Sequence, residues 1–158
     1  MKRAVDFIPT PGLRRFVDSP LQSLEVSYLL HATEDPEKVR SAVARIIHTD
    51  ALPETQDMVG HFGNGITMVT FHLNGDDATE AFRALASRLP RELRSELIGG
   101  MDLYLDEHSS FFVRLDKQSL VGGKLALGTK DAVRIKAKPR GYVMKGRAKD
   151  FFAGLLAK

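Results

Sequence analysis

The chain has 158 residues, of which 43% are hydrophobic and 27% charged, and its formal net charge is +3. This length is typical of one domain that buries a core without cross-links. The sequence contains no cysteine, which excludes disulfides, zinc–thiolate sites, iron–sulfur clusters and a cysteine nucleophile. It has no apolar run of about 18 residues and no signal-peptide pattern, so we expect a soluble, cytoplasmic protein with no membrane partner.

The charge is unevenly distributed along the chain. Residues 31–110 hold seven Lys and Arg against fourteen Asp and Glu, whereas residues 111–158 hold twelve against three. A basic segment of this kind favours a polyanionic partner. A solvated, lysine-rich surface that binds nothing gives the same count, so both interpretations remain open from charge alone.

The first third of the chain predicts an arm, a strand and a helix. Residues 1–20 contain several prolines and no hydrophobic period, which is typical of an irregular N-terminal arm. Alternation over residues 21–32 predicts a strand with one apolar face. Asp35 and Pro36 then suit the N-cap and the first position of a helix that extends to about His48.

The middle of the chain predicts a hairpin followed by two helices. Residues 55–61 and 65–73 alternate as strands, and the Asn64-Gly65 pair between them favours a tight turn. Asp77, with Glu80 three residues later, predicts an acidic capping box for the next helix. A second, short helix follows after Pro90 and ends at a Gly-Gly pair.

The last third predicts three strands and a helix. Strands are expected at residues 111–116, 124–127 and 133–138, and a helix at residues 147–157. The predicted strands alternate apolar with polar residues, so they cover a core on one face only. This pattern predicts an α+β fold, a two-layer sandwich with a mainly antiparallel sheet and helices on one face. We predict a single domain over residues 21–141 and a C-terminal helical extension over residues 142–158.

The strand at residues 133–138 carries the clearest functional pattern. Its apolar residues alternate with Arg134, Lys136 and Lys138, which therefore share one face about 6.6 Å apart, close to the phosphate spacing of a nucleic-acid strand. Phe112 and Arg114 join this face if the neighbouring strand pairs in register. An aromatic ring beside guanidinium groups suits single-stranded RNA. The alternative is a solvated sheet edge that lysines protect against aggregation.

Metal and catalytic patterns are weak. None of the five histidines forms a helical i, i+4 pair, and His61 and His72, which flank the hairpin, are expected to be structural. Carboxylates at Asp102, Asp106 and Asp116 are candidates for a magnesium site, but local salt bridges are the commoner role of such residues. We therefore predict no metal, no cofactor and no enzymatic activity.

Three segments of the chain, taken in order, form a recognisable set. They are His31-Ala32-Thr33-Glu34-Asp35 with Lys38-Val39, Gly60-His61-Phe62-Gly63-Asn64, and Phe112-Val113-Arg114-Leu115-Asp116-Lys117-Gln118 running on to Leu125. Together they resemble the archaeal RNA-binding protein family described as a predicted exosome subunit, which is similar in fold to the ribosomal protein that contacts five-S ribosomal RNA. The resemblance covers roughly residues 22–138 and implies RNA binding with a link to RNA processing or ribosome metabolism.

The working hypothesis is a non-catalytic RNA-binding protein that uses the basic strand and the segment Phe112–Gln118. RNA is the expected partner, an RNA-processing complex is a further candidate, and exposed strand edges permit a homodimer. Two alternatives stay open, namely a protein-interaction module that docks through the C-terminal helix and a metal-dependent nuclease. The predicted RNA-binding residues are Phe112, Arg114, Lys117, Arg134, Lys136, Lys138, Arg140, Lys145 and Arg147.

Overall fold

The structure, a computed structural model, describes residues 20–60, 62–141 and 143–157, so the predicted arm, apart from Pro20, and His61 lie outside the described residues. The strands are β1 (Leu21–His31), β2 (Glu54–Val59), β3 (Gly65–Asn74), β4 (Phe111–Asp116) and β5 (Ala132–Pro139). The helices are α1 (Pro36–Ile46), α2 (Gly75–Arg88), α3 (Arg91–Gly99), α4 (Lys117–Val121) and α5 (Lys145–Ala157), with a 3-10 turn at Met101–Tyr104.

The five strands form one antiparallel sheet in the order β2-β3-β1-β5-β4. The predicted α+β class and the antiparallel sheet are confirmed. One face of the sheet packs against the helices through residues such as Val26, Phe71 and Ile135, all of them buried. We call the opposite face of the sheet the open face.

The C-terminal helix α5 is part of the same hydrophobic core. Its Phe152 is fully buried, and its ring centroid lies 5.4 Å from that of Phe111 and 6.1 Å from that of Phe82. Burial of a phenylalanine side chain stabilises a fold by about 1.5–3 kcal/mol. Within the described residues, no helix is long and apolar enough to cross a membrane.

The start of α2 differs from the prediction. The helix begins at Gly75, and Asn74 occupies the cap position without a side-chain cap hydrogen bond, so the capping box predicted at Asp77 is wrong. Gly75 adopts a φ of +55°, a conformation that glycine reaches without a Cβ clash. This turn lets β3 pass directly into the helix, two residues before the predicted cap.

The segment after β4 also differs from the prediction. The strand ends at Asp116, whose carboxylate accepts a hydrogen bond from the Ser119 N–H at 2.9 Å and so caps α4. The predicted strand at residues 124–127 is wrong. That segment follows the outer side of β4 through an isolated bridge between Leu115 and Leu127.

The close contact between this segment and β4 depends on Gly128. A Cβ atom at Gly128 would lie 2.7 Å from the Asp116 Cα and 2.8 Å from the Asp116 N. We therefore expect Gly128→Ala to lower the free energy of unfolding by about 1–3 kcal/mol, measured by urea denaturation. Gly154→Ala is the control, because nothing lies within 4 Å of a Cβ there. Equal stabilities of the two variants would contradict the predicted clash.

Candidate nucleic-acid interface

The open face brings five of the predicted RNA-binding residues together. In the β4–β5 ladder Arg114 lies directly opposite Arg134, and Phe112 lies directly opposite Lys136. Lys138 follows two residues later on β5 and lies opposite Ser23 of β1. The four cationic side chains are exposed and Phe112 is half-buried. We call Arg114, Arg134, Lys136 and Lys138 the basic patch.

Most of the basic patch forms no ion pair with the described residues, although Glu25 of β1 lies directly opposite Lys136 in the β1–β5 ladder. Among the residues that the structure describes, neither Arg114 nor Arg134 forms an ion pair. Lys136 lies 3.8 Å from the Asp106 carboxylate, and the lysine side chain is about half exposed, so this pair contributes little. Like charges that face each other across two strands destabilise the sheet. A bound anion would remove that cost at the Arg114–Arg134 pair.

The open face is concave at the basic patch. A cavity of about 720 Å³ and a neighbouring cavity of about 450 Å³ share Arg114 and Arg134 in their walls, together with Ser27 and Met68. The larger cavity also contains Lys130, beside the Asp131 carboxylate; Lys130 lies in the connection before β5, where no strand pattern predicts its position. In the sequence, only the basic composition of the C-terminal third indicated a role for Lys130.

Lys117 lies in the interior and not on the open face. Its side chain is fully buried, and its Nζ donates to the Leu29 carbonyl at 2.6 Å and lies 2.8 Å from a carboxylate oxygen of both Glu34 and Asp131. An ammonium has three donors, and all three are used here. We therefore leave Lys117 out of the interface, and its place in the family-like segment reflects a structural role.

Two carboxylates are held in their ionised form by this arrangement. Partial burial disfavours the charged form of Glu34, but hydrogen bonds from the His31 N–H and from Lys117 outweigh it and lower the pKa of Glu34. Burial likewise opposes ionisation of Asp131, and hydrogen bonds from Lys117 and Gln118 lower the pKa of that carboxyl. This ion cluster joins the end of β1 to α4 and to the start of β5.

The lowered pKa values predict a loss of stability in acid. A carboxyl whose pKa is lower in the folded state contributes stability above its unfolded pKa, about 4 here, and loses it as the pH falls through the folded pKa. Urea denaturation from pH 7 to about pH 3 should therefore show a falling free energy of unfolding below about pH 4.5. Asp131→Asn should show a shallower fall than the wild-type protein. Identical pH profiles would contradict the role of Asp131.

The other predicted residues do not belong to the basic patch. Arg140 lies just beyond β5, where its backbone N–H donates to the Pro20 carbonyl at 2.9 Å. Arg147 is exposed on α5, which packs against α2 and α3 in the helical layer. Lys145 is the first residue of α5, and its side chain lies outside what the structure describes.

The residues that would carry the two alternative functions, a metal-dependent nuclease and a protein-interaction module, make contacts within the fold. Asp102 lies 3.3 Å from the Lys149 Nζ, Asp106 accepts hydrogen bonds from the N–H groups of His108 and Ser110, and Asp116 caps α4. In the described ranges, no three His, Asp or Glu residues are placed to hold a metal ion. The C-terminal helix directs Ala148, Phe152, Leu155 and Leu156 into the core, so these residues offer no docking surface.

The chain matches a known protein family, individual proteins and a solved structure. The model of a family described as RNA binding matches residues 23–139, which span all five strands. The RNA-binding protein PAB1135 of Pyrococcus abyssi is 28% identical over 133 residues, 80% of this chain and 86% of that protein. The uncharacterized protein MJ0213 of Methanocaldococcus jannaschii is 30% identical over 110 residues, 66% of this chain and 74% of that protein. The structure of Mth689, a DUF54 protein from Methanothermobacter thermautotrophicus, has a TM-score of 0.67 at 28% identity and covers 86% of this chain and 98% of its own.

Proposed function

Because the chain belongs to the RNA-binding family whose model matches residues 23–139, we propose that it binds RNA through the open face, without catalysis. The basic patch contacts phosphates, and Phe112 stacks on a base. The observation that supports this assignment most is the pair Arg114 and Arg134, which face each other without a carboxylate partner among the described residues.

The spacing within the basic patch suits a nucleic-acid backbone. Arg134, Lys136 and Lys138 repeat along β5 at intervals of about 6.6 Å, close to the separation of successive phosphates. A guanidinium offers a rigid fork of N–H donors that binds two phosphate oxygens at once. Two such forks across adjacent strands therefore form a strong phosphate site beside a row of ammonium groups.

The resemblance in sequence supports a wider role. We extend the proposal to RNA processing or ribosome metabolism, with an RNA-processing complex as a partner. The segment Arg114-Leu115-Asp116-Lys117-Gln118 carries much of this resemblance. Within it Asp116, Lys117 and Gln118 hold the end of β4, α4 and the end of β1 together, whereas Arg114 belongs to the basic patch. The resemblance therefore supports a shared scaffold that presents the open face.

Salt dependence of RNA affinity tests the proposed function. Each phosphate contact should contribute about −0.7 to −0.9 to the slope of log affinity against log salt, so three or four contacts predict a slope of about −2 to −4. Fluorescence anisotropy with a labelled hairpin RNA that carries a single-stranded tail of about ten nucleotides measures this slope. The variant Arg114→Gln with Arg134→Gln should reduce its magnitude by about 1.5.

The matched control neutralises two exposed cations on the helices. Lys38 lies on α1 and Arg83 on α2, and both are exposed. Lys38→Gln with Arg83→Gln changes the net charge equally and should leave the slope unchanged. An equal reduction in both variants would mean that general charge, and not the open face, governs binding.

A further inference from the structure

We infer that the open face is a site for unpaired RNA, in which one dinucleotide step occupies the two neighbouring cavities and its linking phosphate lies at the Arg114–Arg134 pair. The inference rests on the proposed function and names its substrate class. Apolar side chains on the open face, which phosphate binding alone leaves unexplained, support it.

An apolar floor adjoins the basic patch. Leu29 of β1 lies directly opposite Met68 of β3, and Met58 of β2 lines the same cavity. Leu29 and Met58 are apolar, yet both stand on the solvent side of the sheet, where they are 39% and 38% exposed. We call Leu29, Met58 and Met68 the apolar floor. Apolar area of this kind is unfavourable in water, so covering it stabilises a complex.

Binding of duplex RNA would account for the basic patch but not for the apolar floor. In an A-form duplex the bases are stacked and paired, and the protein meets mainly phosphates and 2′-hydroxyl groups. An unpaired base exposes its planar faces, which pack against apolar and aromatic side chains. Only an unpaired strand can therefore use Phe112, the apolar floor and the basic patch at the same time.

The two cavities match two successive nucleotides. The larger contains the whole apolar floor, of which Met68 also lines the smaller cavity. The smaller contains Phe112 and Lys136, beside the carboxylates of Glu25 and Asp106. Arg114 and Arg134 line both cavities, as the phosphate between two nucleotides would require. The larger volume, about 720 Å³, lies within the usual range of about 300–1,000 Å³ for small-ligand sites. One base on the floor and the next on Phe112 therefore share a phosphate at the arginine pair.

The test compares unpaired and duplex RNA on the wild-type protein and on a floor variant. The probes are a labelled, unstructured oligoribonucleotide of about ten nucleotides and a duplex of the same length, at one salt concentration. The floor variant is Leu29→Thr with Met68→Thr, since threonine favours strands and leaves the charge unchanged. Val59→Thr is the control, because Val59 is an exposed apolar residue on β2 outside both cavities.

The wild-type protein should bind the unpaired strand at least about tenfold more tightly than the duplex. The floor variant should lose about tenfold in affinity for the unpaired strand, as expected for one lost base contact, and keep its duplex affinity within about twofold. Equal wild-type affinities for both RNAs, or a floor variant that binds the unpaired strand normally, would overturn this inference alone. Failure of the wild-type protein to bind either RNA would overturn the proposed function as well.

Discussion

Replacement of Arg134, Lys136 and Lys138 by glutamate is expected to lower RNA affinity by more than about 100-fold at physiological salt. The three substitutions remove three of the proposed phosphate contacts and place negative charges along β5. The side chains are exposed, so the fold should survive, which circular dichroism and thermal unfolding check. Anisotropy titration with the labelled hairpin RNA measures the loss.

A second triple variant tests whether the position of the charges, or only their number, governs RNA affinity. Lys38, Arg83 and Arg91 are exposed on helices, and their replacement by glutamate changes the net charge by the same amount. RNA affinity of this control should fall by no more than about threefold, because only long-range attraction is weakened. Comparable losses in both triple variants would contradict an interface on the open face.

Lys117→Met is expected to lower the free energy of unfolding by about 3–5 kcal/mol. The substitution leaves Glu34 and Asp131 without their shared ammonium and the Leu29 carbonyl without a donor. Uncompensated carboxylates at a partly buried site are costly, whereas the methionine fills a similar volume. Urea denaturation measures the change.

Lys124→Met is the control for this prediction. Lys124 is exposed, so its loss should change stability by less than about 0.5 kcal/mol. RNA affinity of folded Lys117→Met should fall by no more than about threefold, because the ammonium does not reach the open face and only its charge beside Asp131, which lines the larger cavity, is lost. An unchanged stability together with a loss of RNA affinity would instead make Lys117 a phosphate contact.

The sequence predicted the two faces of the sheet well. A strand turns its side chains to alternate sides, so the apolar positions of β1, β4 and β5 marked the core face without knowledge of the topology. For the same reason Arg134, Lys136 and Lys138 were placed correctly on one solvent-facing row. Pairing of β4 with β5 then brought Arg114 and Phe112 beside this row, as the sequence had suggested if the strands paired in register.

Other features depended on contacts between distant parts of the chain. Lys117 is buried because Glu34, 83 residues away in the sequence, supplies a carboxylate. Periodicity does not report such a partner. Helix α4 was missed because it has only five residues and begins at the Asp116 cap, a local hydrogen bond that the strand alternation before it does not predict.

The apolar floor was missed for a different reason. Leu29 stands at a position of β1 whose neighbours on the same face, Ser27 and Glu25, are polar, and in isolation it is an ordinary exposed leucine. Its partners Met58 and Met68 come from β2 and β3, so the cluster exists only in the observed strand order. Sequence patterns predict faces, whereas the strand order decides which side chains meet.

The most direct test of the central claim is an NMR titration of the isotope-labelled protein with the unstructured oligoribonucleotide. The account predicts the largest chemical-shift changes at the backbone amides of β4 and β5 and at the side-chain Nε–H groups of Arg114 and Arg134, with little change in α2, α3 and α5. Changes concentrated in the helical layer, with the two arginine signals unmoved, would contradict it.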